Sequence, residues 1–273
     1  LLIFLSTKPM GCIDFHTHAF PDALARRAVA SLEESGNITA YSDGTIKGLL
    51  ASMDAASIER AVLCSIATRP GQFGDILAWS AAVRSERIIP LPSVHPRDEQ
   101  HLAHVRQVHA QGFAGIKMHS YYQNYRLDDP ALFPLYEELS ELGMLLVIHA
   151  GFDIAFPRER RADPARIDVV TRRWPKLQLI ATHVGGWDDW DEVERLLIGR
   201  PVYLELSFGT YFLPAERLKR LLMAHPQEYL LFGSDSPWTD QKKSLEGLRA
   251  LGLPQELFER ITYGNARRLL DRL

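Results

Sequence analysis

The sequence predicts a (β/α)₈ barrel, and three observations carry that prediction. From residue 12 onward, short apolar runs alternate with amphipathic stretches eight times over, the pattern of parallel strands joined by crossover helices. Polar residues stand at the carboxyl ends of several runs, the edge at which barrels carry their chemistry. No Gly-x-Gly-x-x-Gly follows the first run, as an open dinucleotide-binding sheet would want.

The strands are expected near residues 12–16, 60–66, 88–94, 113–119, 144–149, 177–183, 202–207 and 229–234. Helices read near 45–57, 74–86, 98–111, 130–142, 163–173, 188–198, 214–224 and 241–250, with a closing helix over 254–271. Asp98 and Asp163 stand where N-caps are wanted, and Gly112 and Gly143 where a helix should stop before its next strand. No linker, repeat or low-complexity tract divides the chain, so residues 12–273 are expected to form one barrel domain with a C-terminal helical extension. Because Met10 directly precedes the first strand, residues 1–11 are set apart as an N-terminal extension of undecided role.

Of 273 residues, 46% are hydrophobic and 24% charged, which is ordinary globular composition. A net charge of −3 leaves no electrostatic footprint for nucleic acid or an anionic membrane, so a small-molecule partner is expected. Cys12 and Cys64 lie inside apolar runs rather than in a Cys-x-x-Cys pair, which suits a reduced, cytoplasmic protein. The opening Leu1-Leu2-Ile3-Phe4-Leu5 is far shorter than a membrane span. Oligomeric state is open, a homo-oligomer included.

The first run, Cys12-Ile13-Asp14-Phe15-His16-Thr17-His18, ends in two histidines one residue apart. Alternate strand residues share a face, so both imidazoles would enter one space, an arrangement suited to a divalent metal. A His-x-His pair alone is ordinary. Here His149, His183 and Asp235 end further apolar runs, and buried structural histidines have no reason to collect at one edge of several strands. For either His149 or His183 seen singly, the competing reading is a core histidine bonded to its neighbours.

Other residues have two readings each. Lys117 and His119 share a face and should point inward, where a lysine needs a partner such as a substrate carboxylate or Glu205, which alternation also turns inward. Arg158, Arg160 and Arg161 follow the fifth strand and could hold an acidic substrate, or form a solvated loop. Tyr121, Tyr122, Trp187, Trp190 and Trp238 could line a pocket for a flat ring or pack loop against loop. Asp188, Asp189 and Asp191 suit a helix start. His95 could approach the mouth, while His101, His104, His109 and His225 are expected at the surface.

Asp14-Phe15-His16-Thr17-His18, Gly115-Ile116-Lys117-Met118-His119, Ile148-His149-Ala150-Gly151, Thr182-His183-Val184-Gly185-Gly186 and Phe232-Gly233-Ser234-Asp235-Ser236-Pro237-Trp238 fall in that order on successive strands. Together with the closing Ile261-Thr262-Tyr263-Gly264-Asn265-Ala266-Arg267-Arg268-Leu269-Leu270, they resemble the amidohydrolase superfamily. Within it the likeness is to the compact branch of metal-dependent hydrolases and decarboxylases that includes aminocarboxymuconate-semialdehyde decarboxylase. The resemblance implies that His16, His18, His149 and Asp235 bind one divalent ion, most often zinc, with His183 beside the activated water. A binuclear centre with a carboxylated Lys117, as in the related phosphotriesterase group, is the alternative. The chain has little room for the inserted segments of larger decarboxylases.

The expected activity is hydrolysis of a small ester, lactone or amide by activated water, with Asp235 shuttling the proton and His183 aiding the developing charge. Lys117, His119, Arg158 and Trp238 are the candidates for holding substrate. The same residues would serve a nonoxidative decarboxylase of an unsaturated or aromatic carboxylic acid. A metal-binding protein without turnover is the remaining class.

Overall fold

The structure, a computed structural model, describes residues 11–271; all but Gly11 of the expected N-terminal extension lies outside the described residues. Two runs of parallel strands make up the barrel wall. The first holds β1 (Ile13–Thr17), β2 (Arg60–Cys64) and β3 (Ile88–Leu91). The second holds β4 (Gly115–Met118), β5 (Leu145–Ile148), β6 (Gln178–Ala181), β7 (Tyr203–Glu205) and β8 (Leu230–Leu231).

Hydrogen bonds close both seams. Between β8 and β1, the Phe15 N–H donates to Phe232 O at 2.9 Å and the Asp235 N–H to His16 O at 2.7 Å. Between β3 and β4 the ladder is interrupted, because Pro90 and Pro92 have no N–H to give. There the Lys117 N–H donates to Pro92 O at 2.9 Å and Ser93 Oγ donates to Lys117 O at 2.8 Å.

Side-chain alternation splits the apolar residues into two layers. Ile13, Phe15, Val62, Cys64, Leu145, Val147, Ile180 and Leu231 fill the barrel interior, while Ile116, Met118, Leu146, Ile148, Leu179 and Leu204 pack outward on the helices. The amino-terminal end is stopped by Ala266 and Leu269 of α12 (Asn265–Leu270). The polar residues are left at the other end.

The remaining helices are α1 (Asp22–Gly36), α2 (Ile46–Ala56), α3 (Phe73–Val83), α4 (His101–Ala110), α5 (Phe133–Glu141), α6 (Pro164–Arg173), α7 (Trp190–Leu196), α8 (Gly209–Phe212), α9 (Ala215–Ala224), α10 (Gln241–Ala250) and α11 (Gln255–Glu259). Gly112 and Gly143 stop α4 and α5 in the left-handed region, at φ 69° and 66°. The expected caps work differently: α4 starts beyond Asp98, and the Asp163 carboxylate takes Arg166 at 2.6 Å instead of a helix N–H. No helix of the described residues is long and apolar enough to cross a membrane.

Three further departures stand out. α1 is an additional helix after β1 that pattern missed, because only Ala25 and Val29 of its residues are buried, too thin a stripe to read. The closing helix is interrupted by a π turn at Arg260–Gly264, which frees Ile261 O to accept the Phe232 N–H at 2.9 Å. His225, expected at the surface, is 2% exposed and bonds Val202 O at 2.9 Å through Nε2. His101 and His104 are half-buried, the latter stacked on Phe73, and His109 is exposed.

Candidate metal centre

A cavity of about 790 Å³ opens at the carboxyl ends of the strands, and His16, His18, Lys117, His119, His149, His183 and Asp235 all line it. Simple alternation does not bring His16 there. Ile13 and Phe15 already face inward, and His16 follows them because β1 carries one extra residue against β2: Asp14 pairs with Ala61, but Thr17 pairs with Leu63. Such a bulge re-aims side chains. His183 and Asp235 are re-aimed by the backbone as well, with φ of 59° and 64°, and Val184 and Phe208 stand at 57° and 63°. Left-handed non-glycine residues cost free energy and collect where a site dictates the geometry.

His16, His18, His149 and His183 are each anchored by one ring nitrogen. His18 Nδ1 lies 2.8 Å from Cys64 O and His149 Nε2 lies 2.8 Å from Phe152 O. A carbonyl only accepts, so those nitrogens carry the protons and His18 Nε2 and His149 Nδ1 face inward bare. His16 Nδ1 is held by Glu205 Oε2 at 3.0 Å and His183 Nδ1 by Ser207 Oγ at 2.8 Å.

The inner atoms then crowd one another. His16 Nε2 and His18 Nε2 are 3.1 Å apart, His149 Nδ1 and His183 Nε2 are 3.0 Å apart, and Asp235 Oδ1 lies 3.1 Å from His18 Nε2 and 3.4 Å from His16 Nε2. Asp235 Oδ1 is buried and has no hydrogen-bond partner. Lone pairs facing at such distances repel unless positive charge lies among them. Extra protons are opposed, since burial first and neighbouring positive groups second hold His16 and His183 well below the ordinary histidine range. Burial lowers His149 too. A divalent cation fits this donor set.

The grouping does not separate His183 from the ligands: the donor atoms of His16, His183 and Asp235 lie within 4.8 Å of one another, and those of His119, His149 and Asp153 form an adjoining group. His119 stacks on His149 at 4.2 Å and its Nε2 lies 3.3 Å from Asp153 Oδ2. Lys117 is 1% exposed and its Nζ lies 3.0 Å from His16 Nε2. Of the two partners open to Lys117, Glu205 is not paired with it among the described residues, because it turns to His16 instead.

Trp238, Trp187 and Tyr122 line the cavity. Arg158 does not: it pairs with Asp188 and lies 3.9 Å over the Phe152 ring. Arg160 takes Asp189, and Arg161 takes Asn124 and Glu159. Tyr121 donates to Glu159 O, Trp190 Nε1 donates to His183 O at 3.1 Å, and His95 Nδ1 accepts the Arg97 N–H. The arginines on the cavity wall are Arg27 of α1 and Arg69 before α3, and no pattern marked either.

Asp14 was also missed, though a carboxylate inside an apolar run was a signal. It is fully buried and takes four donors from both sides of the β1–β8 seam: the N–H groups of His16 (3.1 Å) and Ser234 (3.0 Å), Ser234 Oγ (2.5 Å) and Gln241 Nε2 (2.8 Å). Burial nonetheless raises its carboxyl to about 6.

The family model of the amidohydrolases matches residues 13–272. The chain belongs to the amidohydrolase family. An uncharacterised TIM-barrel protein from Bordetella bronchiseptica has a similar structure, with TM-score 0.77 and 20% identity over 96% of this chain and 99% of that one. So does a 5-carboxyvanillate decarboxylase from Novosphingobium aromaticivorans, complexed with manganese and 4-hydroxy-3-methoxy-5-nitrobenzoic acid, with TM-score 0.72 and 15% identity over 96% of each chain. A probable 2-pyrone-4,6-dicarboxylic acid hydrolase from Acinetobacter baumannii, with citric acid bound, gives TM-score 0.67 and 15% identity over 96% of this chain and 100% of that one. These likenesses establish the TIM-barrel fold. A dihydroorotase from Yersinia enterocolitica is 35% identical over 79 residues, which span only 22% of its length. The protein is thus an amidohydrolase-superfamily enzyme with a His/Asp set placed to hold metal.

Proposed function

We propose that this amidohydrolase is a divalent-metal hydrolase of a small ester, lactone or amide bearing a carboxylate, with one ion held by His16, His18, His149 and Asp235. The observation that carries the reading is the convergence of bare imidazole nitrogens around the unpartnered Asp235 Oδ1. A divalent ion in that set supplies Lewis acidity, polarising the oxygen of a water or a substrate carbonyl. Nitrogen and oxygen donors in this number suit zinc, with manganese the alternative.

Asp235 Oδ1, buried without a hydrogen-bond partner, is offered to the ion, and the carboxylate's other oxygen would take a proton from the attacking water and return it to the leaving group. His183 has Nδ1 committed to Ser207, so Nε2 is offered as a hydrogen-bond acceptor that positions the water or the substrate. Lys117, with no carboxylate within 4.0 Å among the described residues, donates to a substrate oxygen. Arg27 and Arg69 take the part first expected of Arg158, holding a carboxylate at the rim, while Trp238 and Tyr122 flank the substrate and His119 lines its path. Carboxylation of Lys117 would be needed for a binuclear centre.

A nonoxidative decarboxylase is the second reading, favoured by a buried lysine in a cavity walled by Tyr122, Trp187, Phe208 and Trp238, which suits a flat acid that leaves as CO₂. Zinc- or manganese-loaded protein offered acidic lactones, esters and aromatic acids separates the two. Hydrolysis yields new carboxylate and no CO₂, whereas decarboxylation yields CO₂ stoichiometrically. Absence of both across the panel, with metal bound, would leave a non-catalytic metal binder.

A further inference from the structure

We propose that Glu205 and Ser207 are positioning residues that hold His16 and His183 in one matched pair of tautomers, both presenting a bare Nε2 to the centre of the cavity. The idea rests on reading that centre as a cation site, but its first readout does not. β7 ends at Glu205, and alternation turns Glu205 and Ser207 inward together at 0% and 1% exposure. Glu205 Oε2 lies 3.0 Å from His16 Nδ1 and 2.8 Å from Ser207 Oγ, and Oε1 accepts the Ser207 N–H. The His183 N–H also reaches Oε2, at 3.4 Å. Ser207 Oγ lies 2.8 Å from His183 Nδ1.

With Glu205 ionised, counting protons fixes the arrangement; burial raises its carboxyl to about 8, so the ring tautomers are read above that pH. Ser207 has one hydroxyl proton and stands between a carboxylate and an imidazole. With the proton given to Glu205, the hydroxyl oxygen is left to accept, so His183 Nδ1 must carry a proton and Nε2 must be bare. Glu205 likewise requires the proton of His16 on Nδ1. One carboxylate therefore acts on two histidines, the first directly and together with Lys117 on its Nε2, the second through a hydroxyl, as outer partners of metal-binding imidazoles do.

Removing either residue has a distinct consequence. In Ser207→Ala, His183 Nδ1 loses its acceptor, and the ring gains by moving its proton to Nε2, which lies 3.0 Å from the bare His149 Nδ1. That new hydrogen bond would occupy a nitrogen meant for the ion. In Glu205→Gln, the Ser207 N–H demands oxygen at the Oε1 position, so the amide nitrogen falls at Oε2. It then donates to Ser207 Oγ, inverting the His183 ring, and sets an N–H against His16 Nδ1, whose ring is kept from inverting by Lys117 Nζ at 3.0 Å from its Nε2.

The test is nitrogen-15 NMR of the full chain with labelled histidine after metal removal, since protonated and bare ring nitrogens resonate far apart, followed by zinc affinity from chelator competition. His183 should be Nδ1-protonated in the parent protein and in Ser207→Thr, and Nε2-protonated in Ser207→Ala. Glu205→Gln should invert His183 too, while His16 keeps its Nδ1 proton because Lys117 Nζ lies 3.0 Å from its Nε2. Zinc affinity should fall by about 10- to 100-fold in Ser207→Ala, further in Glu205→Gln, and recover in Ser207→Thr. His183 keeping its Nδ1 proton in both Ser207→Ala and Glu205→Gln overturns the proposal, as does an Nε2-protonated His183 in the parent. Should Ser207→Ala not fold, Glu205→Gln against Ser207→Thr decides by the same signals. Tautomers that switch as stated with unchanged zinc affinity uphold the positioning pair and sink the cation reading instead.

Discussion

Gly233→Ala is a substitution whose effect can be worked from distances. Gly233 is not in the left-handed region, so alanine brings no backbone strain. Its Cβ, however, would lie 2.1 Å from Glu205 Oε1 and 2.6 Å from Cδ. A carbon tolerates an oxygen at roughly 3.2 Å, so the carboxylate must retreat by about 1 Å. Its bonds to His16 at 3.0 Å and Ser207 Oγ at 2.8 Å then stretch beyond hydrogen-bonding distance. Two bonds to a charged acceptor contribute about 1.5 kcal/mol each at the least, and overpacking costs about 1 kcal/mol more, a loss of about 4 kcal/mol or greater. For a chain of this size that lowers Tm by about 8 °C or more. Calorimetry with metal analysis should show both a fall in Tm and a loss of retained zinc. Gly74→Ala, where a Cβ meets nothing within 4 Å, is the control and should be neutral or stabilising. A Gly233→Ala protein with parental Tm and full zinc content would refute the account of Glu205 as fixed in place.

His16→Ala or His149→Ala should remove metal and activity together, whereas His183→Ala should keep the ion and lose about 10²- to 10⁴-fold in rate; equal metal loss from His183→Ala, measured by elemental analysis, would move His183 into the ligand set. Arg158→Ala should leave KM for an acidic substrate unchanged and cost under about 1 kcal/mol of stability, because its pair with Asp188 is exposed. Arg69→Ala or Arg27→Ala should raise KM at least tenfold, and steady-state kinetics with carboxylate and neutral analogues would reveal the reverse. His225 is held down to about 4, by burial first and against the pull of its Val202 bond, so the unfolded chain binds the extra proton between about pH 6.5 and pH 4. Its contribution is therefore intact above pH 6.5 and lost as pH falls toward 4, by about 3 kcal/mol. His225→Gln, which keeps a donor for Val202 O, should flatten that part of the stability–pH curve, and an unchanged curve would assign the acid sensitivity elsewhere.

Much of the barrel was legible because its two layers write two periods into the chain. Leu145-Leu146-Val147-Ile148 is apolar throughout, since residues 145 and 147 face the interior and 146 and 148 face helices. That makes a parallel strand with both faces covered easy to recognise. The same logic explains why α1 was not seen. A helix that walls a cavity mouth, offering Leu24, Arg27, Ala28, Ser31 and Leu32 to the opening, buries little of its own surface and shows no stripe. His225 was misplaced for a related reason: a residue just past a helix is usually wet, and only the nearby Val202 carbonyl, 23 residues away, makes its burial tolerable.

The site divides along the same line between local and distant information. Strand alternation turns Lys117 and Glu205 inward, because facing is a property of a few consecutive residues, whereas His16 reaches the same space only through the extra residue in β1. Which of them touch is not such a local property. Alternation and charge offer Glu205 as one of two partners for Lys117, yet it meets His16, 189 residues away, and the bulge in β1 and the bare Cα of Gly233 make room for that contact. The carboxylate's position then matters more than its charge. A Glu205–Lys117 pair would have been a neutralising contact with no effect on the histidines, whereas a Glu205–His16 contact sets where the proton sits and hence which nitrogen is offered inward. Asp14, Glu205, Ser207 and Gly233 thus shape the site from outside the proposed set of His16, His18, His149 and Asp235, and what the sequence hides is which neighbour each of them holds.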